Sequence, residues 1–156
     1  MHFEHLIEIN DPQNPLLATL NRAQIWAGLR YRIQDPTPFL PGLEHCLHLG
    51  EEGGALLREL NFGSVKIQDR VTFAEEQWVR FDILPSATHA GGSLTITIEA
   101  PEPEHLFLRF AYQTTFASQS GGEDEAYIEY VKAAYHQSDL DCVRILRTLA
   151  ATGKPN

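Results

Sequence analysis

Basic residues, cysteines and long apolar runs are all scarce in this sequence of 156 residues. The 12 Lys and Arg residues are outnumbered by 21 Asp and Glu, which gives a formal net charge of −9. A surface this acidic repels phosphate backbones, so the composition argues against nucleic acid as a partner. No apolar run approaches the ~18 residues that a membrane-spanning helix needs, and we expect no membrane span.

The two cysteines, Cys46 and Cys142, are too few and too far apart for a disulfide framework. The first residues, MHFEH, lack the basic start and the apolar stretch of a signal peptide. We therefore expect a cytoplasmic protein in which both thiols are reduced.

Metal and cofactor motifs are also missing. His45 and His48 are three residues apart in a predicted strand, so their side chains point to opposite faces, and Cys46 with His48 is too small a ligand set for zinc. The sequence has no phosphate-binding glycine loop and no Gly-x-Ser-x-Gly nucleophile motif. We expect neither a metal nor a cofactor.

What the sequence does contain is enough apolar residues, 43%, for one core, and we expect a single domain over residues 1–156. Residues 3–10 alternate between apolar and polar side chains, which predicts a strand. Residues 21–33 have helical spacing, with Asn21 as the N-cap. A single helical turn is the most that the proline-rich residues 37–42 allow.

Six further strands joined by short turns follow, and then a helix. A flexible connection at 118–122 precedes the helix, which carries one apolar stripe up to residue 152. The helical pattern is weakest at residues 138–141, where we expect the helix to bend. The strands are predicted at 43–50, 55–62, 65–73, 78–84, 92–100 and 105–116.

This order predicts an α+β fold: seven antiparallel strands, two short helices between the first and second strands, and a long C-terminal helix. A curved sheet of this kind buries one face, and the last helix has the only large apolar stripe left to cover it. We expect a gap between sheet and helix, where ligands bind in such folds.

Seven short sequence blocks are informative as a set. They are FLPGL at 39–43, RELNFG at 58–63, DRVTF at 69–73, VRFD at 79–82, GGSLT at 91–95, LRF at 108–110 and YVKAAYH at 130–136. Together they resemble the AtaL-like family of unknown function, within the START/SRPBCC (polyketide cyclase-like) superfamily, and the resemblance covers essentially the whole chain. It implies the helix-grip fold, a curved sheet wrapped around the long helix, with a hydrophobic ligand cavity, and it assigns no catalytic residues.

One hairpin predicts a buried ion pair. A two-residue turn at Gly63 and Ser64 pairs Leu60 with Ile67 and places Arg58 opposite Asp69 on the inner face. Burying an unpaired charge costs much free energy, so we expect each of the two residues to be buried because the other neutralises its charge. The pair either fixes the register of the sheet, which we favour, or leaves spare Arg58 donors for a carboxylate or carbonyl of the ligand.

Other polar and aromatic residues lie on apolar faces. His5 and Tyr112 belong to the first and last strands, which are neighbours in a helix-grip sheet, so they are candidates for ligand or acid/base roles; packing as hydrogen-bonded core residues is the simpler interpretation. Tyr127 and Tyr130 are candidates on the long helix. The remaining two candidates, Trp26 and Phe39, lie in the short helices that would close the cavity, unless they are plain core residues.

We expect this protein to bind a largely hydrophobic small molecule, such as a lipid, a polyketide or an aromatic metabolite. The first alternative is a cyclase-like or dehydratase-like enzyme with His5, Tyr112 or Asp69 as acid/base groups. The second is a non-catalytic interaction module, such as an activator of a chaperone ATPase. The oligomeric state stays open, with a homodimer among the alternatives.

Overall fold

The structure, a computed structural model, describes residues 2–87, 90–114 and 122–155. The predicted end of the last strand at 115–116, and the predicted connection up to residue 121, lie outside the described residues. The described part forms seven strands and two α-helices: β1 (His2–Glu8), α1 (Arg22–Gln34), β2 (His45–Glu52), β3 (Ala55–Asn61), β4 (Lys66–Ala74), β5 (Trp78–Ile83), β6 (Gly92–Glu102), β7 (His105–Thr114) and α2 (Gly122–Thr152).

The strands form one curved antiparallel sheet in the order β1-β7-β6-β5-β4-β3-β2. The first and last strands along the chain are therefore neighbours, and the predicted helix-grip arrangement with a long C-terminal helix is confirmed. The helix α2 continues without interruption through residues 138–141, where the sequence suggested a bend.

The β3–β4 hairpin has the predicted register. Leu60 pairs with Ile67 and Arg58 with Asp69. At the turn, the Phe62 N–H donates to the Val65 carbonyl oxygen at 2.8 Å. Gly63 has φ +89°, a conformation that glycine adopts without strain.

Helix α1 begins with a reciprocal cap. The Asn21 side-chain oxygen accepts a hydrogen bond from the Gln24 N–H at 2.7 Å, and the Gln24 side-chain oxygen accepts one from the Asn21 N–H at 2.9 Å. This capping box satisfies two N–H groups that a helix start leaves unpaired. The predicted start of the helix at Asn21 is confirmed.

The second of the two short helices predicted between β1 and β2 does not form. Residues 37–42 make turns instead, in which the N–H groups of Phe39 and Leu40 both donate to the Pro36 carbonyl oxygen. Pro38 and Pro41 have no N–H to donate, so a regular helical ladder has too few donors here.

The core lies between the inner face of the sheet and the two helices. Phe110 and Ile96 on the sheet, Leu29 on α1 and Leu146 on α2 are all fully buried. The helices meet closely at Gly28, where an added Cβ would lie 2.4 Å from the Leu146 Cδ2. The missing side chain of Gly28 therefore sets how closely α1 approaches α2.

Candidate functional site

A cavity of about 340 Å³ lies between the inner face of the sheet, the end of α1 and α2. Apolar and aromatic side chains form much of its wall, and a few buried polar groups interrupt them. Its lining residues are Arg32, Leu40, Arg58, Leu60, Asp69, Phe81, Ile83, Ala90, Gly91, Gly92, Ser93, Leu94, Tyr112, Gln113, Thr114, Tyr135 and Ser138.

Arg58 and Asp69 meet at the cavity wall through two parallel hydrogen bonds. The Arg58 Nε donates to Asp69 Oδ1 at 2.9 Å, and the Nη2 donates to Oδ2 at 2.6 Å. The exposed fractions of the two residues are 1% and 2%. The predicted pairing on the inner face is therefore present, with the geometry in which arginine binds a carboxylate best.

Arg58 also binds the end of α1. Its Nη1 donates to the carbonyl oxygens of Arg32 at 3.2 Å and Ile33 at 2.9 Å. A cation is favourable at a helix C-terminus, where the carbonyl groups have no partner within the helix. These bonds occupy four of the five N–H donors of Arg58, so at most one remains for a ligand.

Tyr112, Asp139 and His5 form a hydrogen-bonded chain beside the cavity. The Tyr112 hydroxyl donates to Asp139 Oδ1, and His5 Nδ1 lies 2.8 Å from Asp139 Oδ2. The sequence placed His5 near Tyr112, and their ring centroids are 6.0 Å apart. The residue that joins them, Asp139, is 1% exposed and was not among the predicted candidates.

Burial shifts the pKa of two groups in this chain, Asp139 and Tyr112. It raises the pKa of the Asp139 carboxyl, while the hydrogen bonds from Tyr112 and His5 act in the opposite direction. The pKa of Tyr112 is raised by burial and by the neighbouring Asp139. Tyr112 thus keeps its proton and directs it to Asp139, which makes it a hydrogen-bond donor inside the protein and a weak acid toward a ligand.

Arg32 is the second arginine at the cavity, and the sequence analysis missed it. It is 7% exposed and its guanidinium lies over two aromatic rings, 5.5 Å from the centre of Phe39 and 5.3 Å from that of Phe81. Its Nη1 lies 3.3 Å from Cys142 Sγ. Both distances to the rings are within the range of cation–π contacts.

The predicted candidates separate into three groups in the structure. Arg58, Asp69 and Tyr112 line the cavity, whereas His5 is connected to it only through Asp139 and then Tyr112. The other four do not line the cavity. Trp26 and Phe39 are buried in the core, and Tyr127 and Tyr130 are 56% and 71% exposed.

Two signals in the sequence pointed to the missed residues. Arg32 lies three residues after Leu29 and seven after Ile25, which puts it on the apolar stripe of α1. Asp139 lies four residues after Tyr135 and three before Cys142, on the apolar stripe of α2. A charged residue on such a stripe is an informative exception, because lone charges are rarely buried.

Both cysteines are free thiols, with Cys46 partly exposed and Cys142 buried. Burial raises the pKa of each thiol. Within residues 2–87, 90–114 and 122–155, no three His, Cys, Asp or Glu side chains are grouped as a metal site would require. In the same part of the chain, no helix has the length and apolar character needed to cross a bilayer.

Three solved structures define the class of fold. The di-domain ARO/CYC StfQ from the steffimycin biosynthetic pathway matches with a TM-score of 0.65 at 10% identity, over 91% of this chain and 48% of StfQ. The Zhui aromatase/cyclase from Streptomyces sp. R1128 matches at 0.58 and 16% identity, over 92% of this chain and 90% of that one. A START superfamily protein from Mycobacterium smegmatis matches at 0.59 and 9% identity, over 91% and 93%.

This chain therefore spans about half the length of StfQ and nearly all of the other two proteins. At these identities the likeness establishes the fold alone, the helix-grip fold of START and polyketide cyclase-like proteins. The family is given by the sequence: the model for AtaL, acetylaranotin biosynthesis cluster protein L, matches residues 7–153. The chain belongs to the AtaL family, as its sequence blocks suggested, and no curated protein matches it in sequence.

Proposed function

We propose that this protein binds a largely apolar small molecule in the cavity between the sheet and α2. The observation that carries the proposal is the cavity itself, about 340 Å³, whose wall combines apolar side chains, among them Leu60, Phe81 and Leu94, with several polar ones. Ligand sites are typically concave, mostly apolar and provided with a small number of polar groups that orient the ligand.

The size of the cavity narrows the ligand class. Its volume is near the lower end of the ~300–1,000 Å³ typical of ligand pockets, which favours a compact molecule over a long-chain lipid. The family name refers to a biosynthesis cluster, and two proteins of similar fold are named aromatase/cyclases. These names support an aromatic or polyketide metabolite as the ligand.

Calorimetric titration with 2-acetylnaphthalene, a compact neutral aromatic ketone, tests the proposal. Leu94→Trp adds bulk inside the cavity, and Leu6→Trp adds the same bulk at a residue that is 49% exposed. We expect wild type and Leu6→Trp to bind the probe alike and Leu94→Trp to bind it at least about 10-fold more weakly. Equal affinity in all three folded proteins would contradict the proposal, and so would a wild type that binds neither this ketone nor the carboxylate of the same ring system, 2-naphthoate.

An enzyme that acts on the same ligand is the second candidate. The observation that favours it is the chain Tyr112–Asp139–His5, three titratable groups in series with one end at the cavity wall. A chain of this kind moves a proton or holds a group in one orientation. Tyr112→Phe removes only the hydroxyl, so an enzyme that uses the chain loses product formation in this variant and keeps ligand affinity.

A further inference from the structure

Among the residues that the structure describes, the two arginines at the cavity, Arg58 and Arg32, have one carboxylate partner between them, and Arg58 binds it. Each guanidinium lies over the ring of Phe81, at 5.2 Å for Arg58 and 5.3 Å for Arg32. Both oxygens of Asp69 accept hydrogen bonds from Arg58. The Arg58–Asp69 pair therefore has no net charge, and it does not neutralise the positive charge of Arg32.

Arg32 has no carboxylate within ion-pairing distance among the residues that the structure describes. Its one hydrogen bond in that part of the chain is the contact of Nη1 with Cys142 Sγ. Cys142 is not a counter-charge, because burial raises the pKa of its thiol and keeps it neutral. Sulfur is also a weak acceptor, so this contact compensates little of the cost of burying a guanidinium.

The buried acidic residue of α2, Asp139, already has two hydrogen-bond partners. Tyr112 binds one of its oxygens and His5 binds the other. Burial raises the pKa of Asp139, whereas its two hydrogen bonds and the charge of Arg32 act in the opposite direction. The other polar side chains on this side of the wall, Tyr135 and Ser138, are neutral hydroxyls.

A guanidinium stays protonated in proteins, so Arg32 cannot escape the cost of burial by losing its proton. Buried charges are normally paired. Arg32 has five N–H donors, it lines the cavity, and four of those donors have no hydrogen-bond partner in the described part of the chain. The missing partner is therefore expected in the cavity.

We propose that Arg32 binds an anionic group of the ligand, with a carboxylate as the best match to its planar fork of donors. This inference rests on the proposed function, because it requires that the cavity is the ligand site. The ligand would be a compact apolar or aromatic molecule with one acidic group, its carboxylate at Arg32 and its apolar body against Leu60, Phe81 and Leu94. Arg58 holds the end of α1, and thereby the backbone of Arg32, in place.

Two probes of nearly the same shape test the inference by calorimetry: 2-naphthoate, which carries a carboxylate, and 2-acetylnaphthalene, which carries a neutral ketone. We expect wild type to prefer 2-naphthoate by roughly 10-fold to 100-fold, the range of hydrogen bonds to charged groups. Arg32→Gln is expected to remove this preference and to keep the affinity for 2-acetylnaphthalene. Arg30→Gln, an exposed arginine of the same helix, removes the same charge and is expected to keep the preference.

Arg32→Lys serves as the test variant if Arg32→Gln does not fold. Lysine keeps the positive charge but lacks the planar set of guanidinium donors, so we expect this variant to keep only part of the preference for 2-naphthoate. The outcomes separate the two proposals. If wild type binds both probes equally well, or if folded Arg32→Gln keeps the preference, the role of Arg32 is wrong and the proposed function stands. If wild type binds neither probe, the proposed function fails, and the role of Arg32 fails with it.

Discussion

Arg58 and Asp69 lie directly opposite each other across the β3–β4 hairpin and are joined by two hydrogen bonds inside the sheet. The same guanidinium binds the last carbonyl groups of α1. One ion pair therefore connects two strands with the helix that carries Arg32. This arrangement supports the interpretation that the pair fixes the register of the sheet, because at most one N–H donor of Arg58 remains for a ligand.

Breaking this pair is expected to be costly. Asp69→Ala leaves the Arg58 guanidinium buried without its counter-charge, and we expect the free energy of unfolding to fall by about 3–5 kcal/mol. Urea unfolding measures the loss. Asp82→Ala is the matched control, because it breaks the surface pair with Arg80, and its cost is expected below about 1 kcal/mol. A similar small loss for Asp69→Ala would mean that the buried pair contributes nothing to stability.

Gly28→Ala is expected to destabilise the protein although alanine is the better helix former. The new Cβ would lie 2.4 Å from Leu146 Cδ2, and Leu146 is fully buried, so the two helices have to separate or Leu146 has to change its rotamer. We expect a loss of about 1–3 kcal/mol in urea unfolding. Ala27→Gly, at the exposed neighbouring position, is the control for helix propensity, with an expected loss of ~1 kcal/mol. A more stable Gly28→Ala would show that the helices do not pack this closely.

The stability of the protein should fall at alkaline pH because of Tyr112. Its pKa is higher in the folded than in the unfolded state, so above the ordinary tyrosine value, ~10, unfolding releases a proton and a rise in pH favours the unfolded state. One such group changes the free energy of unfolding by at most about 1.4 kcal/mol per pH unit.

Urea unfolding at several pH values above and below this range measures the effect as a difference between variants. Tyr112→Phe is expected to lose less stability than wild type as the pH rises. Tyr130→Phe, which removes a hydroxyl on a residue that is 71% exposed, is the matched control. Identical pH profiles for wild type and Tyr112→Phe would contradict the burial of the Tyr112 hydroxyl beside Asp139.

The pairing of the first and last strands is a long-range feature that followed from the family resemblance, whereas the other details that the sequence predicted correctly are set by local pattern. The turn at Gly63 and the apolar pairing of Leu60 with Ile67 fix the register of one hairpin, and a shift of one residue would have moved Arg58 to the other face. The N-cap at Asn21 is also a local signal, since its partner, Gln24, is three residues away.

The missed residues depend on contacts far along the chain. The burial of Asp139 is explained by its hydrogen bonds to His5, 134 residues earlier, and to Tyr112, 27 residues earlier. Arg32 is notable only because the two buried carboxylates in the described part of the chain have other partners: Asp69 binds Arg58, and Asp139 binds Tyr112 and His5. Neither fact is visible in the spacing of a single helix. The exposure of a side chain also depends on the whole fold. The helical spacing alone therefore does not show that Tyr127 and Tyr130 lie in solvent and not at the cavity.

The central claim, that the cavity binds the ligand, is tested most directly by nuclear Overhauser effects between a bound aromatic probe and methyl-labelled leucines. With 2-acetylnaphthalene, we predict contacts between the naphthalene protons and the methyl groups of Leu60 and Leu94, which line the cavity. Contacts with exposed leucines such as Leu6 and Leu47, and none with Leu60 or Leu94, would contradict the account.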